Sequence, residues 1–162
     1  MQTFTNPTGA YGYTADGDVL GKIFASFKVA ESSSGAVTVT RGDIVQITTS
    51  GTVLTVDTAQ TDNILGVALN TVSVPDTDLQ AAQGQYAGPK NVEVALFGLA
   101  KVASGGTSQA FNATLASNAS GQAIASTIAD NNWILGYAIE ATGASAGTLV
   151  TCRVAPMKLE LA

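Results

Sequence analysis

Hydrophobic and polar residues alternate with a period of two in many short segments of this chain. The alternation is clear at residues 24–29, 37–40, 92–97 and 148–154. Successive side chains of a strand point to opposite faces, so this pattern is typical of strands with one buried face. Turn signals that contain glycine separate the segments at short intervals. The pattern therefore predicts an all-β fold.

The chain also contains an internal repeat. The sequence ILGVAL at residues 64–69 returns as ILGYAI at residues 134–139, 70 positions later. The same offset carries Ser50-Gly51 onto Ser120-Gly121 and Phe27 onto Phe97. A register held over this length indicates two copies of one β unit.

The repeat divides the chain into four parts. We predict an extended N-terminal arm at residues 1–22, a first β unit at 23–74, a connector loop at 75–91 and a second β unit at 92–162. Residues 23–162 together are expected to form one compact domain, either a β-barrel or a β-sandwich.

Two features inside the units carry more specific expectations. Residues 64–74 are expected to form one long strand that ends before Pro75, because proline cannot donate a ladder hydrogen bond. Glycine inside a strand marks a bend or the close approach of another backbone. We therefore expect Gly66 and Gly136 to lie at such places, and alanine at either position to weaken the fold.

Residues 1–22 differ from the rest of the chain, because four glycines are interleaved with aromatic residues. Such a segment forms no ordinary helix or strand, yet its aromatic side chains gain free energy by burial. We predict that Phe4, Tyr11 and Tyr13 are partner-binding residues that anchor this arm. We expect the arm to lie on a neighbouring subunit or on the capsid, and an arm that packs on its own domain is the alternative.

Charged residues make up only 12% of the chain, and the net charge is -5. This is about half the charged fraction of an ordinary soluble domain. The low fraction favours a surface that other subunits partly cover, or a neutral surface rich in Thr and Ser. The seven Lys and Arg residues are scattered, so the composition argues against a nucleic-acid partner and against an anionic membrane, which both require clustered positive charge.

The sequence contains no catalytic motif. There is no histidine, which removes the commonest general base and metal ligand. Glu140 aligns with Asn70 under the repeat, so the copies do not place matching carboxylates as a glycosidase site would require. We predict no enzyme activity, no catalytic residue, no metal site and no cofactor. The tripeptide Arg41-Gly42-Asp43 is interpreted as a turn, and the single Cys152 as a small core residue.

The sequence shows no targeting signal. Residues 1–7 lack the positive and then apolar pattern of a signal peptide, and no apolar run approaches the ~18 residues of a membrane-spanning helix. The product is expected to be soluble and made in the cytosol.

The repeated Ile-Leu-Gly-x-Ala at residues 64–68 and 134–138, preceded by Gly42-Asp43-Ile44-Val45, resembles the decoration proteins of tailed phages, also called cement or head-stabilising proteins. The resemblance covers roughly residues 23–156. In the second copy, Asn112-Ala113-Thr114-Leu115 stands in place of Gly42-Asp43-Ile44-Val45.

This resemblance implies an all-β protein on the exterior of the virion, made in the host cytoplasm. Its implied role is to bind the major capsid protein on the outer surface of the head and to reinforce the joints between capsomers. It also implies self-association, often as a homotrimer, and it supplies no catalytic residue.

Two other function classes are compatible with the sequence. A phage tail or baseplate structural protein would share the β-rich composition, and its copy number per virion would distinguish it. A carbohydrate-binding β-module would depend on the single tryptophan, Trp133.

Overall fold

The computed structural model of the chain describes residues 23–60, 62–77, 88–106, 109–127, 129, 131–140 and 145–160. Within these residues the regular elements are eleven β-strands, which confirms the predicted all-β fold. The strands are β1 Ile23–Lys28, β2 Val37–Val39, β3 Ile44–Ile47, β4 Val53–Thr55, β5 Ile64–Ala68, β6 Val72–Val74, β7 Asn91–Ala103, β8 Thr114–Ser117, β9 Ala123–Ala125, β10 Trp133–Ala138 and β11 Leu149–Lys158.

Nine of these strands form one curled sheet in the order β4-β3-β5-β7-β11-β10-β8-β9, with β1 also paired to β7. β2 and β6 form a separate two-stranded sheet. The order places β3 between β4 and β5 in the first unit, and β8 between β9 and β10 in the second. The long strand β7 contributes to both units. Its residues 91–97 pair with β1 and β5 and are counted with the first unit. Its residues 98–103 pair with β11 and are counted with the second.

The two units repeat the same backbone hydrogen bonds. Gly42 N donates to Ala68 O at 2.8 Å, and Asn112 N donates to Ala138 O at 2.8 Å, 70 positions later. Both donors have a positive φ, 92° at Gly42 and 63° at Asn112. Asparagine is one of the few residues other than glycine that enter this region readily. The two turns are therefore equivalent although their sequences differ.

The offset of 70 does not extend to the strands that open and close each unit. Phe27 pairs with Val92, whereas Val102 pairs with Val150 in the second unit. Phe27 is thus equivalent to Val102, and its predicted equivalence to Phe97 is wrong. The closing strands differ as well, because Ala68 pairs with Val94 and Ala138 pairs with Cys152, 58 positions further on. The central part of each unit keeps the offset of 70, but the connections before and after it differ in length. Loops tolerate insertions, and these differences in length produce the shifts.

The single strand predicted at residues 64–74 is two strands, so this expectation is wrong. β5 ends at Ala68, and β6 leaves the large sheet to pair with β2. Asn70 interrupts the ladder, because its Oδ1 accepts a hydrogen bond of 2.8 Å from the backbone N–H of Glu93. Asparagine side chains compete with strand hydrogen bonds in this way.

Each unit presents two faces. The front face carries Ile44, Val67 and Ala95 in the first unit and their equivalents Thr114, Tyr137 and Arg153 in the second. The back face carries Val45, Ala68 and Val94 in the first unit and their equivalents Leu115, Ala138 and Cys152 in the second. These equivalences follow from the matched strand pairings in the two units.

Two buried clusters show how the faces pack. The central core joins the front face of the first unit to the back face of the second, and it contains Ile44, Val67, Ala95, Leu115, Ala138 and Cys152. The lateral core covers the back face of the first unit with residues of β2 and β6, and it contains Val39, Val45, Ala68, Val72, Val74 and Val94. The two units therefore pack front to back, in the same orientation.

Candidate interaction surface

The predicted partner-binding residues Phe4, Tyr11 and Tyr13 lie outside the described residues. Their role stays a prediction. A candidate surface must therefore be built from exposed apolar side chains in the part that the structure describes. Six large hydrophobic residues there are clearly exposed: Ile23, Ile47, Phe97, Phe111, Ile139 and Met157.

The front face of the second unit differs from that of the first in exposure. Val67 and Ala95 are 0% exposed. Their equivalents are half-buried at Tyr137 and exposed at Arg153. The same backbone surface that packs inside the protein in the first unit thus meets solvent in the second.

Arg153 lies at the centre of this open surface, which we call the outer patch. It stands opposite Leu99 on one side and Tyr137 on the other, and its guanidinium carbon lies 5.9 Å from the centroid of the Phe97 ring. Such a cation–π contact at an exposed site contributes about 0.5–1 kcal/mol. Ile23, the first residue of β1, stands opposite Phe97. The outer patch consists of Ile23, Phe97, Leu99, Tyr137 and Arg153.

Gly66 and Gly136 allow the strands beneath these surfaces to approach closely, as predicted. A Cβ added at Gly66 would lie 2.0 Å from the carbonyl oxygen of Ala95, and one at Gly136 would lie 1.9 Å from that of Arg153. Gly136 also has a φ of 146°. Only a residue without a Cβ fits at these positions.

A second exposed site lies at the turn before β8. Phe111 is 68% exposed and Ile139 is 37% exposed. Ala113 N donates to Ala110 O at 3.1 Å to close the turn, and Asn112 joins it to the end of β10. We call Phe111 and Ile139 the Phe111 tip. In the first unit the equivalent position of Phe111 is Arg41.

The Arg41-Gly42-Asp43 tripeptide forms a turn, as interpreted from the sequence. Asp43 Oδ2 accepts hydrogen bonds from Thr40 N at 2.8 Å and from Thr55 Oγ1 at 3.1 Å. Burial raises the pKa of Asp43 above its usual value of 3.8, against these two hydrogen bonds. The carboxylate is engaged within the turn and is not offered to a partner.

Glu140 and Asn70 perform the same structural task in the two units. Glu140 Oε1 accepts a hydrogen bond from the backbone N–H of Thr151, as Asn70 Oδ1 does from Glu93. This hydrogen bond holds the pKa of Glu140 below its usual value. Glu140 thus accepts a hydrogen bond from the backbone of β11, as Asn70 does from the backbone of β7. This shared role explains why a carboxylate and an amide align in the repeat.

Lys28 and Lys90 flank a third carboxylate. Their Nζ atoms lie 3.0 and 3.2 Å from Glu31 Oε1. The hydrogen bonds from the two lysines lower the pKa of Glu31. Glu31 thus neutralises one of the two positive charges, and the cluster is too small to form an extended charged patch.

The remaining singled-out residues serve the core. Cys152 is 0% exposed, as interpreted from the sequence. Trp133 is half-buried against the central core, and its backbone N–H donates to Gln60 O at 2.7 Å. Among the described residues no three acidic or cysteine side chains come close enough together to hold a metal ion. In the same part of the chain no helix is long and apolar enough to cross a membrane.

The outer patch was not anticipated from the sequence, although part of its signal was present. The repeat places Tyr137 where the first copy has Val67, and Thr114 where it has Ile44. A change from aliphatic to polar or amphipathic residues at equivalent positions indicates a change of environment. Arg153 could not be found in this way, because its equivalent, Ala95, lies 58 positions earlier and not 70.

Comparison with known proteins shows a likeness in fold. No protein-family model and no curated protein matches the sequence. Among solved structures, the N base of the head fiber protein gp8.5 of bacteriophage phi29 is similar, with a TM-score of 0.53 and 18% sequence identity. The similarity covers 86% of this chain and 100% of that one. Most of this chain therefore shares its fold with the base of a phage head fiber.

Proposed function

We propose that this protein is a structural component of a phage head that binds the outer surface of the capsid. The observation that carries the proposal is the fold shared with the N base of the phi29 head fiber, which includes all of that chain. We propose on this ground that the chain is an attachment module on the head, with the major capsid protein as the partner.

The chemistry of the surface supports attachment to another protein. Charged residues are depleted at the centres of protein interfaces, and only 12% of this chain is charged. We propose that the Phe111 tip makes the central contact, because Phe111 is the most exposed large hydrophobic side chain among the described residues. An aromatic side chain that enters a pocket of the partner commonly dominates the binding free energy.

We further propose that the protein acts as a decoration protein, in many copies that reinforce the contacts between capsomers. A homotrimer would strengthen such binding, because each bound subunit raises the effective concentration of the next. Light scattering of the purified chain tests this step. A trimer has three times the 16.3 kDa mass of one chain.

The proposed function is tested by co-sedimentation of the full chain with purified phage capsids. We expect saturable binding, and we expect Phe111→Ser to weaken it by about tenfold or more. Ile47→Ser is the matched control, because Ile47 is also an exposed hydrophobic residue, at 37%, but lies on β3 of the first unit. This control should bind as the unchanged protein does.

Two results would contradict the proposal. Absence of the unchanged chain from the capsid pellet would remove the head as its site. Labelling of intact virions that places the protein on the tail or baseplate, in tens of copies or fewer, would assign it to that structure instead.

A further inference from the structure

We infer that residues 1–22 pack on the outer patch of the same chain. This inference is independent of capsid binding, and it assigns Phe4, Tyr11 and Tyr13 to a surface of their own protein. The observations that carry it are the place where the chain enters β1, the exposure of the patch and its charge.

The chain enters the described body at the patch itself. Ile23 stands opposite Phe97 in the β1–β7 pairing, and its side chain is 41% exposed. Residues 1–22 are therefore joined directly to one edge of the outer patch. Ile23 lies ten positions after Tyr13, a span of about 33 Å when extended. Leu99 and Tyr137 lie two strands apart, about 10 Å, so the aromatic residues are within reach of the whole patch.

The internal repeat indicates that this surface is one that the fold covers. At the equivalent positions of the first unit, Val67 and Ala95 are fully buried against the back face of the second unit. A second copy of the chain cannot cover the outer patch in the same way, because both back faces are already buried, one in each core. A different apolar segment is therefore the cover that remains for this surface.

The composition of residues 1–22 matches the patch. The patch offers the aromatic and aliphatic side chains of Phe97, Leu99 and Tyr137 around one positive charge, Arg153. Residues 1–22 supply three aromatic residues and two carboxylates, Asp16 and Asp18. Aromatic side chains pack on apolar surface and on guanidinium groups, and a carboxylate accepts hydrogen bonds from arginine.

Photo-crosslinking of the full chain tests the inference. The photoreactive residue p-benzoylphenylalanine is placed at position 97, where it replaces a phenylalanine of similar shape, and the free protein is irradiated without capsids. We expect a crosslink to a peptide from residues 1–22, identified by mass spectrometry. The same substitution at position 111 is the matched control, since Phe111 is exposed but lies outside the patch, and it should give no such crosslink.

Two outcomes would overturn the inference. The first is that position 97 gives no crosslink to residues 1–22, or no more than position 111 does. The second is a crosslink between chains, detected as a mixed-mass product when ordinary and nitrogen-15 chains are combined. That result would assign the patch to the N-terminal segment of a neighbouring copy.

A charge exchange tests the ionic part of the contact, with the photoreactive residue kept at position 97. Arg153→Glu should lower the crosslink yield from position 97 several-fold, and Asp16→Lys with Asp18→Lys in the same chain should restore it. Equal yields in all three proteins would exclude the ionic part of the contact. Capsid co-sedimentation of the same variants reports on the proposed function separately, because it depends on the Phe111 tip.

Discussion

The front faces of the two units have the same strand pairings but opposite environments. Val67 and Ala95 of the first unit are fully buried, whereas Tyr137 is half-buried and Arg153 is exposed in the second. The difference arises because the units pack front to back, so only the first front face has a unit in front of it. Where the repeat ends, the equivalent face meets solvent, and its side chains change accordingly.

The largest expected effect is a loss of stability at Gly136 and Gly66, where neighbouring strands of the two units approach most closely. Gly136→Ala should reduce the free energy of unfolding by about 3 kcal/mol or more, since its Cβ would meet the carbonyl oxygen of Arg153 at 1.9 Å. Gly66→Ala should cost somewhat less, because Gly136 alone of the two also has a positive φ. Chemical denaturation of both variants measures these losses.

Gly147→Ala is the control for backbone conformation alone. Gly147 has a φ of 81° and nothing within 4 Å of an added Cβ, so its substitution should cost only about 1 kcal/mol. Equal stability of Gly136→Ala and Gly147→Ala would show that the backbone of β11 does not approach Gly136 this closely.

An intermediate effect is expected at the hairpin turns, which are equivalent in the two units. Gly51 and Gly121 have φ values of 77° and 69°. An added Cβ meets nothing at Gly51, but at Gly121 it lies 2.2 Å from Thr55 Cγ2 of the first unit. We expect Gly51→Ala to cost about 1 kcal/mol and Gly121→Ala about 1–2 kcal/mol more. Equal losses in urea denaturation would mean that the units do not pack at this turn.

The smallest effect is the pH dependence of stability that is due to Asp43. It has no counterpart in the second unit, because Ala113 occupies the equivalent position. Burial raises the pKa of Asp43, so its contribution to stability is complete below the usual value of 3.8 and is lost as the pH rises through the raised pKa. The stability of the unchanged protein, measured relative to Asp43→Asn, should therefore fall as the pH rises through this interval. A relative stability that rises instead would show that the hydrogen bonds from Thr40 and Thr55 outweigh burial.

The sequence predicted those features that depend on neighbouring residues. Alternation located most strands, the repeated ILG motif identified equivalent strands β5 and β10, and the glycines within them were correctly expected at close backbone approaches. The departure of β6 from the large sheet was missed, because it depends on the hydrogen bond from Glu93 to the side chain of Asn70. Composition predicted the candidate contacts in residues 1–22 and not on the outer patch, since only the packing of the units reveals that surface.

Ser117 and Ile47 show where the limit lies. They occupy equivalent positions at the ends of β8 and β3, yet Ser117 is 1% exposed and Ile47 is 37% exposed. Hydrophobicity alone predicts the reverse. The backbone of Gln60 lies against Ser117 in the structure, with Gln60 N donating to Ser117 O at 3.1 Å, and this is a contact between distant parts of the chain.

The sequence by itself determined that the chain forms strands, that one β unit occurs twice and that two strand positions require glycine. These properties follow from the two-residue period of a strand and from the steric demands of a Cβ, which are local. Only the tertiary structure decided which face of each unit is covered. An alternating strand defines two faces but not their partners, and burial is set by whatever packs against each face.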